Sequence, residues 1–373
     1  MKPIRFSEYN NLNKYQAELD FVDVFINEDT ALFIDPYVFT VRDDVWSVEC
    51  NNLIVDFFNT VVQSIRNENY NYAKSLLERL SEPKETHLGM GIGNVAGKGV
   101  SGKQAGDLYD KLKDSKAVRT GHLKDLLDCE LMIAGIGFDK ISDITTNIIR
   151  EKLIEYTQAQ CELYNIPMRE TPSGRIWSPI EKRWLNGYYT LLPIVNGKKV
   201  VLVPKYAVVL RPSLSSQELY NHEIIEFIQA EHLAAMSSLV EVLKNGKRRV
   251  TKKSIKELPE YRMSKEFIYD FCNKHPDVIS DYKNRKTKEA VKVADINDVD
   301  EGYIANKLIE KLSKIKPGGQ ESTNFHSVSL GIMEFIFFPH LIYPKKEHEV
   351  HEGRKRIDIT FHNAATKGFW HTL

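Results

Sequence analysis

The sequence predicts an α+β protein with a mostly helical N-terminal half, a central antiparallel hairpin module and a C-terminal α/β segment. Apolar residues recur at steps of three and four through 51–80 and 216–243, which is typical of amphipathic helices. Two β-rich runs in 187–210 flank an Asn-Gly pair, the favoured two-residue hairpin turn. Apolar and polar residues alternate from Arg354 to Phe361, which predicts a strand.

Length sets the scale of the domain organisation. A chain of 373 residues corresponds to two or three domains of roughly 100–200 residues each. We predict three parts, which are a mostly helical domain with a glycine-rich loop at 1–170, a hairpin plus a helical middle region with a basic run at 171–316, and a final unit at 317–373.

The overall charge is balanced. The chain has 51 Lys and Arg residues and 51 Asp and Glu residues, so its formal net charge is zero. A protein that coats nucleic acid over its whole surface would be strongly basic. The composition therefore argues against that class of protein but allows a local basic patch.

Cysteine usage and hydropathy indicate the compartment. The four cysteines lie far apart and form no C-x-x-C pair, so we expect buried reduced thiols rather than a zinc site or a disulfide framework. The N-terminus lacks the apolar segment of a signal peptide, and no run approaches the ~18 apolar residues of a membrane span. We expect a protein of the bacterial cytoplasm that has no membrane partner.

The glycine-rich segment 87–106 contains seven glycines. It includes G-x-x-x-x-G-K, but Gln104 stands where a phosphate-binding loop needs Ser or Thr for Mg²⁺. One interpretation is a loop that contacts a phosphate backbone through amide groups and Lys98 or Lys103. The alternative is a purely structural loop. A nucleotide-dependent switch is a third possibility that rests on this imperfect motif alone.

The segment 244–256 is densely basic, and it follows the predicted helix 216–243. Such a run is usually a solvated loop, but it can also contact the phosphates of DNA. The candidate nucleic-acid-binding residues in it are Lys247, Arg248, Arg249, Lys252 and Lys253.

Two acids stand out near the C-terminus. Glu334 lies within an apolar run in a predicted helix over 322–338, and a buried acid usually needs a partner. Asp358 lies on the predicted strand 354–361. The alternatives are that Glu334 faces solvent and that Asp358 is a surface acid paired with Arg354 or Arg356.

A helix with an inward Glu, followed by a strand with an acid, resembles the first half of the PD-(D/E)xK nuclease core of the restriction-endonuclease-like superfamily. The segments GRKRIDITFHN and KGFW are similar to those of uncharacterised bacterial restriction or phage-defence proteins. The resemblance implies that Asp358 is a metal ligand and that Glu334 is an auxiliary acid. We also expect Arg354 and Arg356 to contact nucleic acid.

The resemblance further implies a metal ion and an incomplete core. Mg²⁺ or Mn²⁺ would be held by carboxylates and would activate a water, once the core is completed. The next family element, a strand with Asp/Glu-x-Lys, is expected after Leu373. The unfinished sheet edge would then pair with a second copy or a partner protein.

Two functional hypotheses follow. The first is the N-terminal part of a metal-dependent DNA endonuclease of bacterial anti-phage defence, which does not cut DNA as this 373-residue chain. The second is a non-catalytic nucleic-acid-binding or regulatory subunit that keeps a nuclease-like end as a scaffold.

Overall fold

The computed structural model of the protein describes residues 3–89, 102–120, 126–288, 300–350, 355–365 and 368–372. Helices predominate, and every named pair of strands is antiparallel, which confirms the predicted α+β class.

The N-terminal part is mostly helical, as predicted. Its helices are α1 (Phe6–Tyr9), α2 (Pro36–Thr40), α3 (Val45–Arg66), α4 (Tyr70–Leu77), α5 (Gly102–Asp114), α6 (Lys116–Thr120), α7 (Leu126–Met132), α8 (Phe138–Ile148) and α9 (Arg150–Leu163).

The remaining helices lie in the middle and C-terminal parts. They are α10 (Ser216–Glu218), α11 (Ile225–Ala234), α12 (Lys252–Lys256), α13 (Lys265–Lys274), α14 (Pro276–Lys288), α15 (Glu301–Ser313) and α16 (Ser322–Phe337). A π-helical segment, Leu219–Ile224, joins α10 to α11.

The strands are short apart from the last two. They are β1 (Phe33–Ile34), β2 (Met168–Pro172), β3 (Ile176–Ser178), β4 (Arg183–Leu185), β5 (Tyr189–Val195), β6 (Lys198–Lys199), β7 (Val208–Val209), β8 (Glu241–Val242), β9 (Arg248–Arg249), β10 (Leu341–Val350) and β11 (Lys355–Asn363).

The long helix α3 is fixed at its start by a cap and along its length by an aromatic contact. The Asp44 carboxylate accepts a hydrogen bond from the Ser47 backbone N–H at 3.0 Å, which satisfies a donor that the first turn leaves unpaired. Further along, the Phe57 ring packs edge-on against Trp177 of β3, with 4.9 Å between ring centroids. This contact joins the helical part to the central strands.

A large hydrophobic core runs through all three predicted parts of the chain. Its buried members extend from Phe6 in α1, through Leu192 in β5, to Ala364 after β11. All four cysteines are buried and unpaired, as predicted. The division into three domains stays a prediction, since the parts share this core.

The Asn196-Gly197 hairpin is confirmed. Both residues have positive φ, 49° and 76°, as a two-residue turn between β5 and β6 requires. The sequence also predicts a third strand over 206–210, but this segment does not join the sheet. Instead, β7 pairs with β1, because the Lys205 backbone N–H is drawn to the Asp20 carbonyl oxygen at 2.9 Å.

Two predictions for the middle part are wrong. The helix expected over 216–243 ends at Ala234, because Met236 adopts a left-handed φ of 51° that a helix cannot continue through. The run of charged residues over 283–292 predicts a linker, but this segment is helical as far as Lys288. Its basic side chains have acid partners, with Arg285 paired to Glu223 at 2.9 Å, so the charge belongs to a helix face.

The C-terminal helix and strand are confirmed. Helix α16 ends at Phe337, and β10 and β11 form a two-stranded antiparallel hairpin in which Ile342 lies opposite His362. No other strand pairs with this hairpin in the described part of the chain.

We predict that Gly197→Ala lowers the free energy of unfolding by about 1 kcal/mol, because alanine is strained at a positive φ. Gly106→Ala, in the interior of α5, is the control. Its added methyl group also meets open space, and it should stabilise the helix by up to about 1 kcal/mol. Urea unfolding of both variants checks this pair, and equal effects of the two substitutions would contradict it.

Candidate functional site

Glu334 lies at a buried ion pair where α16 meets the N-terminal body. Its side chain is fully buried, as predicted, and its Oε2 accepts a hydrogen bond from the Lys205 ammonium group at 3.2 Å. The Lys205 Nζ also lies 4.0 Å from the centre of the Phe338 ring. The other carboxylate oxygen, Oε1, has no hydrogen-bond partner among the described residues.

Gly331 allows α16 to approach the N-terminal segment this closely. A Cβ atom at this position would lie 2.7 Å from the Glu18 Oε1 and 2.9 Å from the Lys14 Nζ. Lys14 and Lys311 both pair with the buried Glu18, at 3.4 and 3.1 Å. A second set of charges therefore supports the same helix face one turn before Glu334.

Asp20 provides a second buried acid at this junction. Its carboxylate accepts hydrogen bonds from the Tyr156 hydroxyl at 2.8 Å and from the Tyr343 backbone N–H at 3.3 Å. Burial raises the pKa of Asp20, while the Lys205 charge opposes that rise. Asp20 thus links α9 to the start of β10.

Aromatic rings surround Asp20. Tyr206 and Tyr343 are hydrogen-bonded through their hydroxyl groups, and Tyr206 also bonds the Ser47 hydroxyl at 3.1 Å. Trp46 packs against Tyr156 and Tyr343 with centroid distances of 6.2 and 6.0 Å. Three of these rings come from α3, α9 and β10, and Tyr206 lies between β6 and β7, so the cluster holds four parts of the chain together.

Glu334 titrates in an unusual range. Burial raises its pKa to about 7, although the neighbouring Lys205 charge opposes the shift. The nearby Asp20 carboxylate adds to the rise. Glu334 can therefore take up or release a proton near neutral pH, which an exposed glutamate does not do.

Asp358 lies elsewhere. Its side chain is 74% exposed on β11, and its nearest ionic partner is the His326 Nε2 at 3.8 Å. His326 precedes Glu334 by about two turns of α16. Glu334 faces Lys205 and the N-terminal body, so the two predicted catalytic acids have different partners.

The described residues do not by themselves fit a magnesium site. Within them, no three His, Cys, Asp or Glu residues are placed to hold a metal ion. Mg²⁺ takes one or two carboxylates together with waters and substrate phosphates. Asp358 alone supplies one carboxylate, so the assignment of Asp358 as a metal ligand stays a prediction.

The predicted basic residues fall into several groups. Lys247 and Arg248 are exposed on the β8–β9 hairpin, whereas Arg249 pairs with Glu241 at 3.0 Å. Lys252 pairs with Glu226 at 2.6 Å, and Lys253 pairs with Glu257 at 3.8 Å.

The other predicted contacts are only partly described. Arg356 reaches Glu347 and Glu349 across the C-terminal hairpin, at 3.2 and 3.3 Å. Arg354 and Lys98 lie outside the described residues. Lys103 lies in the first turn of α5, and its side chain is outside the described part.

A groove opens beside the aromatic cluster. It lies between the start of α3, helix α9 and the β10–β11 hairpin, and its volume is about 1110 Å³. Gln160 of α9 lines it and is 2% exposed, yet its Oε1 has no hydrogen-bond partner among the described residues.

Sequence reasoning missed Asp20, Lys205 and Gln160. The signal for Lys205 was a single lysine inside the apolar run VLVPKYAVVL, and that for Asp20 was an acid inside ELDFVDVF. A lone charge among apolar residues indicates a buried partner. Gln160 carries no comparable signal, because it is an uncharged residue in a segment that mixes polar and apolar side chains.

Comparison with known proteins gives one match. Residues 11–215 match the model of a family described as "Domain of unknown function (DUF8370)". The match covers more than half of the chain, so the protein belongs to this family. No curated protein and no solved structure matches the chain.

The matched segment includes Asp20, Tyr156 and Lys205, whereas Glu334 lies beyond it. The buried junction therefore joins the family segment to the C-terminal helix and hairpin. Within the described ranges, no helix has the length and apolar character needed to cross a bilayer.

We predict that Glu334→Gln flattens the pH dependence of stability. The folded-state pKa of about 7 lies above the ordinary value of 4.5, so the folded protein binds the proton more tightly than the unfolded chain. The free energy of unfolding therefore falls as pH rises from 5 to 8, by up to about 3 kcal/mol at ~1.4 kcal/mol per pKa unit.

Urea unfolding at pH 5 and pH 8 measures this effect. The wild-type protein should lose more stability between the two pH values than Glu334→Gln does. Asp20 is present in both proteins, and removal of the Glu334 charge lessens the repulsion that raises the Asp20 pKa, so its contribution should also become flatter in Glu334→Gln. Parallel pH dependence in the two proteins would contradict the assignment of a raised pKa to Glu334.

Proposed function

We propose that this member of the DUF8370 family binds nucleic acid, in the first instance DNA, through its basic hairpin. The basic hairpin comprises β8, β9 and the segment up to the end of α12. Residues 244–256 contain seven Lys and Arg residues and no Asp or Glu. This concentration of one sign of charge on a protein of zero net charge is the observation that carries the proposal.

The geometry of the hairpin favours contact with phosphates. Val242 pairs with Arg248, and the connecting turn includes Gly246 at a φ of 78°. Lys244, Lys247 and Arg248 are exposed and have no carboxylate partner in the described part of the chain. Their charges are therefore available to an external anion.

Other basic residues of the hairpin form ion pairs but can still contribute to phosphate binding. Arg249 and Lys252 form exposed ion pairs with Glu241 and Glu226. Exposed pairs of this kind contribute only about 0–1 kcal/mol, so a phosphate can compete for the same cations. Such contacts neutralise the backbone without reading bases, which favours binding of low sequence specificity.

The partner suggests the compartment. A protein that binds DNA in a bacterium works in the cytoplasm, and we propose that location on this basis. The edge of β11 that has no partner strand among the described residues is also a surface on which a second copy or a partner protein can add a strand.

A metal-dependent DNA endonuclease is the second candidate. The observation that favours it is the order of α16, β10 and β11, with Glu334 buried on the helix and Asp358 exposed on the second strand. A role in anti-phage defence rests on the resemblance of the C-terminal segment alone. Mg²⁺ or Mn²⁺ would need carboxylates beyond those that the described residues supply.

We predict that the triple variant Lys244→Gln/Lys247→Gln/Arg248→Gln weakens DNA binding and its dependence on salt. Each lost phosphate contact lowers the slope of log affinity against log salt by roughly 0.7–0.9, so three contacts lower it by roughly 2–3. Fluorescence anisotropy with a labelled duplex and a labelled single strand, at several salt concentrations, measures both quantities.

The matched control is Lys274→Gln/Lys314→Gln/Lys316→Gln, which removes the same charge from exposed positions elsewhere. It should retain most of the wild-type affinity and slope. Equal losses of affinity in the two triple variants would show that binding depends on net charge and not on the hairpin. Unchanged DNA binding in the hairpin variant would show that the basic segment is a solvated loop with no role in binding.

We predict that this 373-residue chain shows no DNA cleavage that depends on Asp358, because the described residues leave a metal with too few ligands. The assay uses single- and double-stranded DNA with Mg²⁺ or Mn²⁺, and it compares the wild type with Asp358→Asn. Cleavage that disappears in Asp358→Asn would overturn this prediction, with Glu349 and Glu352 as the first candidates for the additional ligand.

A further inference from the structure

We propose that the groove between α3, α9 and the β10–β11 hairpin binds a nucleotide. The base lies against the aromatic floor, and the phosphate lies toward the lysines of β10. The groove is distinct from the basic hairpin. Its volume of about 1110 Å³ exceeds the ~300 Å³ at which ligand pockets begin.

The floor of the groove is aromatic and held in place. Trp46, Tyr156 and Tyr343 all line it, and the two tyrosine rings lie 5.7 Å apart at an angle of 68°. The Tyr156 hydroxyl is fixed by Asp20, and the Trp46 indole N–H donates to the Lys152 carbonyl at 3.2 Å. Trp46 and Tyr343 are only partly buried, so ring surface remains for a planar ligand. Aromatic side chains stack on any base, because every base has a π face.

Gln160 provides the polar contact. It follows Tyr156 by one turn of α9, so both side chains lie on the same face of the helix. Buried side-chain oxygens without a hydrogen bond are rare in folded proteins, and the Gln160 Oε1 is one of them. The exocyclic amine of a base donates to such an oxygen, and glutamine is the side chain that pairs with adenine through two hydrogen bonds.

Positive charge in the groove is local rather than general. Six carboxylates line the groove, and five of them pair with only three basic side chains, so these pairs keep two negative charges. The pairs are Asp44 with Arg42 at 2.9 Å, Glu49 and Glu155 with Lys152 at 2.9 and 3.0 Å, and Glu347 and Glu349 with Arg356 at 3.2 and 3.3 Å.

The local positive charge comes from two lysines that have no ion pair among the described residues, while the groove as a whole keeps one net negative charge. Lys345, Lys346 and Glu162 line the groove without an ion pair in the described part of the chain. Burial lowers the pKa of Lys346, so a nearby anion would stabilise its charged form. His348 and His362 extend the same wall and can also donate to a phosphate.

Other ligand classes fit less well. A divalent cation would meet the two lysines, and the described residues contain no cluster of three metal-ligating side chains. A wholly apolar ligand would leave the Gln160 oxygen and both lysines unpaired. A nucleotide satisfies the rings, the amide oxygen and the lysines together. A free mononucleotide and an unpaired nucleotide of a strand share this chemistry.

The experiment titrates the protein with adenosine monophosphate, adenosine and a ten-residue deoxyadenosine oligonucleotide. Isothermal calorimetry and tryptophan fluorescence report binding, since Trp46 lines the groove. We expect adenosine monophosphate to bind and adenosine to bind at least fivefold more weakly. Binding of the oligonucleotide, but not of the monophosphate, to the basic-hairpin triple variant would assign the groove to a nucleotide within a strand.

Two variants test the contacts. Gln160→Met keeps the length of the side chain and should weaken binding of the monophosphate at least tenfold. It should leave the melting temperature unchanged or raise it, because it removes an unpaired buried oxygen. Lys346→Gln should weaken binding of the monophosphate and leave binding of adenosine unchanged.

The basic-hairpin triple variant Lys244→Gln/Lys247→Gln/Arg248→Gln should bind the monophosphate like the wild type, so failure of the hairpin proposal and failure of the groove proposal are distinguishable. The groove proposal is overturned by a wild-type protein that does not bind the monophosphate, together with a basic-hairpin triple variant that does not bind the oligonucleotide. It is also overturned by wild-type affinity in both groove variants, or by loss of binding in Gln160→Met with a lowered melting temperature.

Discussion

The ion pair between Lys205 and Glu334 is the interaction on which the junction between the two halves of the chain depends. Both side chains are buried, so water does not hydrate their charges. Removing two charges from water costs several kcal/mol per ion, and their attraction compensates only in good geometry. The pair therefore stabilises the contact between α16 and the family segment only while both partners are present. Gly331 makes the approach possible, since any side chain there would meet Glu18 and Lys14.

The same junction determines the shape of the groove. The Lys205 backbone N–H donates to the Asp20 carbonyl oxygen. The Asp20 carboxylate accepts from the Tyr156 hydroxyl and from a backbone N–H near the start of β10. The floor of the groove thus rests on an acid that is itself held beside the ion pair. A change of charge at the junction should alter the groove, because the junction and the floor of the groove share Asp20, Tyr156 and Tyr343. Glu334 belongs to this network, and its pKa of about 7 places its titration near neutral pH.

Local patterns predicted the elements better than their partners. The Asn196-Gly197 turn, the helix that ends at Phe337 and the strand through Asp358 all follow from short-range periodicity and turn chemistry. Burial of Glu334 also followed from its apolar neighbours. Its partner could not be predicted, because Lys205 lies more than a hundred residues earlier and its contact depends on tertiary packing. The groove was missed for the same reason, since its walls come from three distant segments.

A double-mutant cycle on Lys205 and Glu334 tests the account most directly. Free energies of unfolding are measured at pH 8, above the Glu334 pKa of about 7, for the wild type, Lys205→Met, Glu334→Leu and the double variant. Each single change should cost about 3–5 kcal/mol, because it leaves a buried charge without a partner, and the double variant should recover most of that loss. Costs that simply add in the double variant would contradict the claim that this ion pair joins the two halves.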